Sequence, residues 1–152
     1  MNKTSFGEYL QQYGVLTYRI KGVSMKPMLR QGRDSFTVVR KTDKRCSKYD
    51  VVLYHRAPDE YVLHRIIKVR DNDYVILGDN CINKEYGIKD EDILGVMTSF
   101  VRKGKEHQVS EPAYRLYVRL WCMSAPVRIL LKKLKGRIRK NDNKKQYGQM
   151  DL

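Results

Sequence analysis

Cysteine is scarce and poorly spaced for cross-linking. Cys46, Cys81 and Cys122 are odd in number, far apart and without a C-x-x-C pair. That pattern argues against a disulfide framework and against a cysteine zinc site, and a reducing compartment is its simplest reading. Long apolar runs are missing as well. The first fourteen residues, MNKTSFGEYLQQYG, contain no apolar core of a secretory leader. No stretch approaches the ~20 apolar residues of a membrane-spanning helix. Near the C-terminus the longest is LWCMSAPV, and Pro126 interrupts it. The expected location is therefore the cytoplasm or the surface of a membrane. No His, Cys or Asp cluster has metal-ligand spacing, and no glycine-rich phosphate loop occurs. Neither a metal nor a cofactor is expected.

What is present is a chain of 152 residues, enough for one domain with a tail. Lysine and arginine number 31 against 17 acidic residues, a formal charge of +14. The excess is local. Residues 112–140 carry nine basic side chains, from Arg115 to Lys140, and no acidic one. Such a balance calls for an anionic partner. Three segments follow from this: a β domain over 1–111, a basic amphipathic helical segment over 112–140, and a flexible tail over 141–152.

The body reads as mainly β. A short helix over 5–13 should end at Gly14. Strands are expected at Val15–Lys21, Ser35–Arg40, Val51–Tyr54, Tyr61–Arg70, Tyr74–Leu77 and Val96–Arg102, from their β-branched and aromatic residues and the turn residues between them. Met28–Arg30 reads as a short helical piece after Pro27, and 41–48 as a polar loop. In the C-terminal segment Leu116, Leu120, Met123, Val127, Leu130, Leu134 and Ile138 recur every three or four residues, the helical period. Pro126 should split this segment in two, with Ser124 as the N-cap of the second helix.

Catalytic candidates are few. A serine hydroxyl attacks a carbonyl only if a base removes its proton and donors stabilise the oxyanion. Ser24 follows Gly22, where the missing side chain admits a substrate backbone, and precedes Pro27. The available imidazoles are His55, His64 and His107. Taken alone, a serine between Gly and Pro is most often a turn former.

Five segments in order alter that reading: Gly22-Val23-Ser24-Met25-Lys26-Pro27, Gly32 with Asp34, Asp50-Val51-Val52, His64-Arg65-Ile66-Ile67 and Gly78-Asp79-Asn80. Over residues 14–102 they resemble the type I signal peptidase family, part of a superfamily shared with the SOS-repressor peptidases. One departure is Arg33, which separates Gly32 from Asp34 where the family has Gly-Asp adjacent. Another is that no apolar run precedes the Ser24 segment, where the family carries a membrane anchor. The resemblance implies a catalytic β-barrel or coiled-sheet core and a serine endopeptidase that cleaves a signal, leader or precursor peptide through an acyl-enzyme. Ser24 would be the nucleophile. His64 stands where the common bacterial form carries lysine, so the chain resembles the Ser–His variant typical of the endoplasmic reticulum and archaea. An imidazole accepts a proton near neutral pH without a large pKa shift.

Asp79 has two readings: it orients His64 as a third catalytic residue, or it pairs with Arg65. Asp34 reads as a structural turn residue, and His55 and His107 as surface groups. The resemblance further implies a peptide bound as an added strand, small side chains before the cut, and the Ser24 N–H as an oxyanion donor.

The basic segment also has two readings. Residues 113–140 suit a helix lying on an anionic membrane, or the apolar stripe packs on the β body and the charges face water. Nucleic acid is disfavoured, because no recognised nucleic-acid-binding motif accompanies the charge. Two other functions are open. One is a catalytically silent peptide-binding module with a tail that docks on membrane or nucleic acid. The other is a self-cleaving regulator, against which stand the short stretch before the first strand and the histidine base.

Overall fold

A computed structural model describes residues 5–148, with side chains through 140. Helix α1 (Phe6–Tyr13) is fixed at both ends. The Ser5 hydroxyl accepts from the Glu8 N–H while the Glu8 carboxylate accepts from the Ser5 N–H, and Gly14 closes the helix at φ 75°. Eight strands follow: β1 (Val15–Arg19), β2 (Ser35–Arg40), β3 (Val51–Arg56), β4 (Glu60–Val69), β5 (Tyr74–Leu77), β6 (Glu85–Ile88), β7 (Ile93–Arg102) and β8 (Lys105–Gln108). Helices α2 (Pro112–Met123) and α3 (Ala125–Gly148) end the described chain.

The molecule is mainly β, as the strand pattern implies. All strand pairs are antiparallel, in the order β1-β2-β7-β3-β4-β5-β6. The ten residues of β7 divide their second edge, Ile93–Val96 pairing with β3 and Ser99–Arg102 with β8. The sheet is open, so of the expected barrel or coiled sheet the closed barrel is corrected. Between Met25 and Asp34, backbone-bonded turns replace the expected helical piece.

Strand β3 explains how the core is divided. Its side chains alternate between faces: Val51 and Leu53 join Met25, Met28, Leu29, Phe36 and Phe100, while Val52 and Tyr54 join Ile66, Tyr74, Ile76 and Ile93. Both faces are covered, so Val51 to Tyr54 are all buried.

The C-terminal segment is two helices broken at Ser124, one residue before α3 begins. Ser124 does not act as the expected N-cap. Its backbone is right-handed helical (φ −81°, ψ −5°), and its hydroxyl donates to the Trp121 carbonyl and accepts from the Arg128 side chain. Residues 141–148, placed in the expected tail, continue α3. Residues 149–152 lie outside the described residues. Among the described residues no helix is long and apolar enough to cross a membrane.

Candidate active site

Ser24 sits in a turn held from both sides. The neighbouring Met25 is fully buried and anchors the turn in the core. Gly22 takes φ 76°, a left-handed conformation open to glycine, and its N–H donates to Gln31 Oε1 at 2.6 Å. From the opposite strand end, the Asn80 N–H donates to the Ser24 carbonyl at 2.7 Å, and Asn80 Nδ2 donates to the Val23 carbonyl at 3.1 Å. Asn80 therefore ties the Gly-Asp-Asn loop to the serine turn. Among the described residues the Ser24 N–H donates to no protein acceptor.

His64 lies on β4, opposite Val52 of β3. Continuing the register Arg65↔Leu77 by one residue sets it beside Gly78. That glycine is a spatial requirement: a Cβ there would lie 2.9 Å from His64 Nε2 and 2.6 Å from Cys81 Sγ. The other ring nitrogen, Nδ1, is 3.2 Å from Glu85 Oε1 and 3.3 Å from the Tyr54 hydroxyl. An ionised carboxylate only accepts, so this partner set assigns the proton to Nδ1 and leaves the lone pair on Nε2. Burial pushes the imidazole pKa below its ordinary value and outweighs the opposing charge of Glu85, while Arg56 pushes the same way as burial. The ring is thus neutral at neutral pH, the state a general base needs. Burial and the neighbouring Glu85 raise the Tyr54 pKa, so its hydroxyl keeps its proton.

Asp79 has its partner on the other face of β4. Arg65, next to His64, points oppositely and makes two hydrogen bonds to Asp79, Nε to Oδ1 and Nη2 to Oδ2, each 2.8 Å. The same guanidinium donates to the Tyr49 carbonyl and the Tyr114 hydroxyl. Of the two sequence readings of Asp79, the geometry is that of the ion pair, and the carboxylate on the imidazole belongs to Glu85. Asp34 is a turn clamp. It accepts from the Arg30 N–H at 2.8 Å, the Arg33 guanidinium at 2.7 Å and the Lys103 N–H at 3.1 Å. Burial opposes its ionisation, but these donors prevail and hold its pKa at about 2. His55 packs against Tyr61, and His107 stacks on Phe100 beside Glu111; neither lines the groove that holds Ser24.

Ser24 and His64 line one open groove of about 610 Å³. No hydrogen bond joins Ser24 Oγ to the imidazole. Two strand edges border the groove. Among the described residues β1 pairs only with β2, and β4 meets β5 only from Arg65 onward, so residues 60–64 keep a free edge. Phe6 of α1 forms an aromatic wall, edge-on to Tyr18 at 4.9 Å and to Tyr61 at 5.1 Å. Cys81 also lines the groove, and burial raises its pKa, so it is a thiol rather than a nucleophilic thiolate at neutral pH. All three cysteines are free. Among the described residues no three His, Cys, Asp or Glu side chains gather as a metal-binding set.

The C-terminal helices reach the site from behind. Trp121 Nε1 and Arg128 Nη1 each donate to the Asp79 carbonyl at 3.2 Å. Lys132 Nζ donates to the Asn80 carbonyl at 2.6 Å and to Asn80 Oδ1 at 2.5 Å. Residues 112–140 thus brace the loop that pins Ser24. Sequence reasoning missed Glu85, Tyr54 and this brace. Tyr54 carried a usable signal, a hydroxyl in an otherwise apolar buried strand. Comparison of the chain with protein-family models and with curated proteins found no match.

Proposed function

We propose that the chain is a serine endopeptidase of the signal-peptidase type that cleaves a signal, leader or precursor peptide. The observation that carries this reading is the shared groove: Ser24 and a neutral, carboxylate-backed His64 lie on it between two unpaired strand edges. An extended peptide fits there as an added strand, bonded through its backbone. Ser24 Oγ attacks the scissile carbonyl as His64 Nε2 takes its proton. Glu85 stabilises the resulting imidazolium, and the unclaimed Ser24 N–H faces the oxyanion. The imidazolium then protonates the leaving amine, and water, activated by the same nitrogen, releases the acyl group. Catalytic hydrogen bonds tighten when substrate binds, so bound peptide is expected to close the gap between serine and imidazole.

That same gap favours a second reading, a silent module that holds a peptide in the groove without cutting it. Wild-type protein incubated with a peptide library, with new termini mapped by mass spectrometry, separates the two. The peptidase reading expects discrete cuts, reduced by about 10³-fold or more in Ser24→Ala and in His64→Ala. Equal cutting by Ser24→Ala, or peptide binding with no new termini in wild type, overturns it.

A further inference from the structure

The C-terminal helices present two unlike faces. Tyr114, Tyr117, Val118, Trp121, Arg128 and Lys132 turn toward the body. On the outer face, Leu116, Leu120 and Met123 of α2 and Val127, Leu130 and Leu134 of α3 are 44 to 73% exposed. Their spacing of three or four residues puts each set on one side of its helix. The apolar stripe read from the sequence is therefore not what packs on the β sheet. At about 100° per residue, Arg115 and Arg119 flank it on α2, with Lys133 and Arg137 on one side and Lys135 on the other in α3. These cations are exposed, and no acidic residue occurs between 112 and 140.

A second feature adjoins the stripe. Between the α2–α3 junction and the body lies an open cavity of about 850 Å³. Its apolar lining includes Ile67, Leu77 and Ile129; Lys48, Lys84 and Lys133 also line it, with no carboxylate. An apolar hollow with ammonium groups matches an acyl chain joined to an anionic headgroup. Nucleic acid would leave the exposed leucines in water. A second copy would set cations against cations.

We propose that this face lies on an anionic phospholipid bilayer, with the apolar stripe in the acyl boundary and the flanking lysines and arginines among the phosphates. The inference is independent of the peptidase reading. Sedimentation of the 152-residue chain with vesicles tests it. The chain should pellet with mixed phosphatidylglycerol–phosphatidylcholine vesicles and bind pure phosphatidylcholine roughly tenfold or more weakly, because a neutral surface leaves the basic side chains without an attracting charge. Leu130→Glu with Leu134→Glu should abolish pelleting, and Lys133→Glu with Arg137→Glu should reduce it, with melting temperatures unchanged. Ser24→Ala should pellet like wild type. Three results would overturn the proposal: wild type that stays in the supernatant; duplex DNA or RNA bound equally by the Leu130/Leu134 variant while vesicles are ignored; or a dimer, formed without lipid, that this variant dissolves.

Discussion

Gly78→Ala is the sharpest probe of the site, because it adds one methyl group beside the imidazole. The backbone tolerates alanine there: Gly78 has no left-handed φ, and the loss of unfolded-state freedom alone would stabilise by about 0.4–1 kcal/mol. The obstacle is space. The new Cβ would lie 2.6 Å from Cys81 Sγ, 2.9 Å from His64 Nε2 and 3.0 Å from His64 Cδ2. The thiol can rotate away. The imidazole is held across the ring by Glu85 and Tyr54 and can yield only by shifting several tenths of an ångström against them. Overpacking of this kind costs about 1–3 kcal/mol of stability. A misplacement approaching ~1 Å costs about 10²-fold in rate. Gly78→Ala should therefore fold, melt a few degrees lower, and lose about 10²-fold in kcat/KM on whichever peptide wild type cleaves. NMR titration should show a changed His64 pKa. Adding Cys81→Ala should not restore activity, since it relieves the sulfur contact and leaves the one to Nε2. Full activity in Gly78→Ala with an unchanged His64 titration would refute the assignment of Nε2 as the working atom.

Glu85→Gln should lower kcat/KM at its plateau and move the acid limb of the pH profile to lower pH. The carboxylate holds the His64 pKa up against burial, so its removal lets that pKa fall further; an unmoved limb would show that Glu85 does not face the working base. The same shift makes stability pH-dependent. His64 titrates lower folded than unfolded, so its contribution is complete above the ordinary imidazole range and declines as pH drops through it, measurable as a loss in denaturation midpoint absent from His64→Gln. Asp34 acts in a more acidic window. With its folded pKa near 2 and an ordinary value of 3.8, it contributes about 2 kcal/mol above pH 4 that disappears as pH falls toward 2. Asp34→Asn should flatten that part of the urea-midpoint profile. Asp79→Ala strands the buried Arg65 and should cost about 3–5 kcal/mol, whereas Asp79→Leu with Arg65→Met should recover most of it in thermal melts.

Much of the fold was legible along the chain. Ser35–Arg40 and Tyr74–Leu77 fall on their expected bounds, and Gly14 ends α1 as expected. These elements carry local signatures: β-branched runs, a capping box, a left-handed stop. Strands β6 (EYGI) and β8 (KEHQ) carried none, because they are half-exposed and bury no apolar face. Missing β6 meant missing Glu85, whose place beside His64 depends on β6 pairing with β5 and β5 with β4.

Sequence order and residue type determined the candidates: a serine between Gly22 and Pro27, a histidine before Arg65, and a cationic apolar stripe at helical spacing. Tertiary structure decided how they are used. Strand alternation sent His64 and Arg65 to opposite faces, giving Asp79 to the arginine and Glu85 to the imidazole. Helix packing turned Trp121, Arg128 and Lys132 inward and left the leucines exposed on the outer face. The physical reason is one of range. A chain of side chains encodes periodicity and local hydrogen bonds, but the partner of a buried charge is chosen by whichever strand or helix the whole fold brings within 3 Å or so of it.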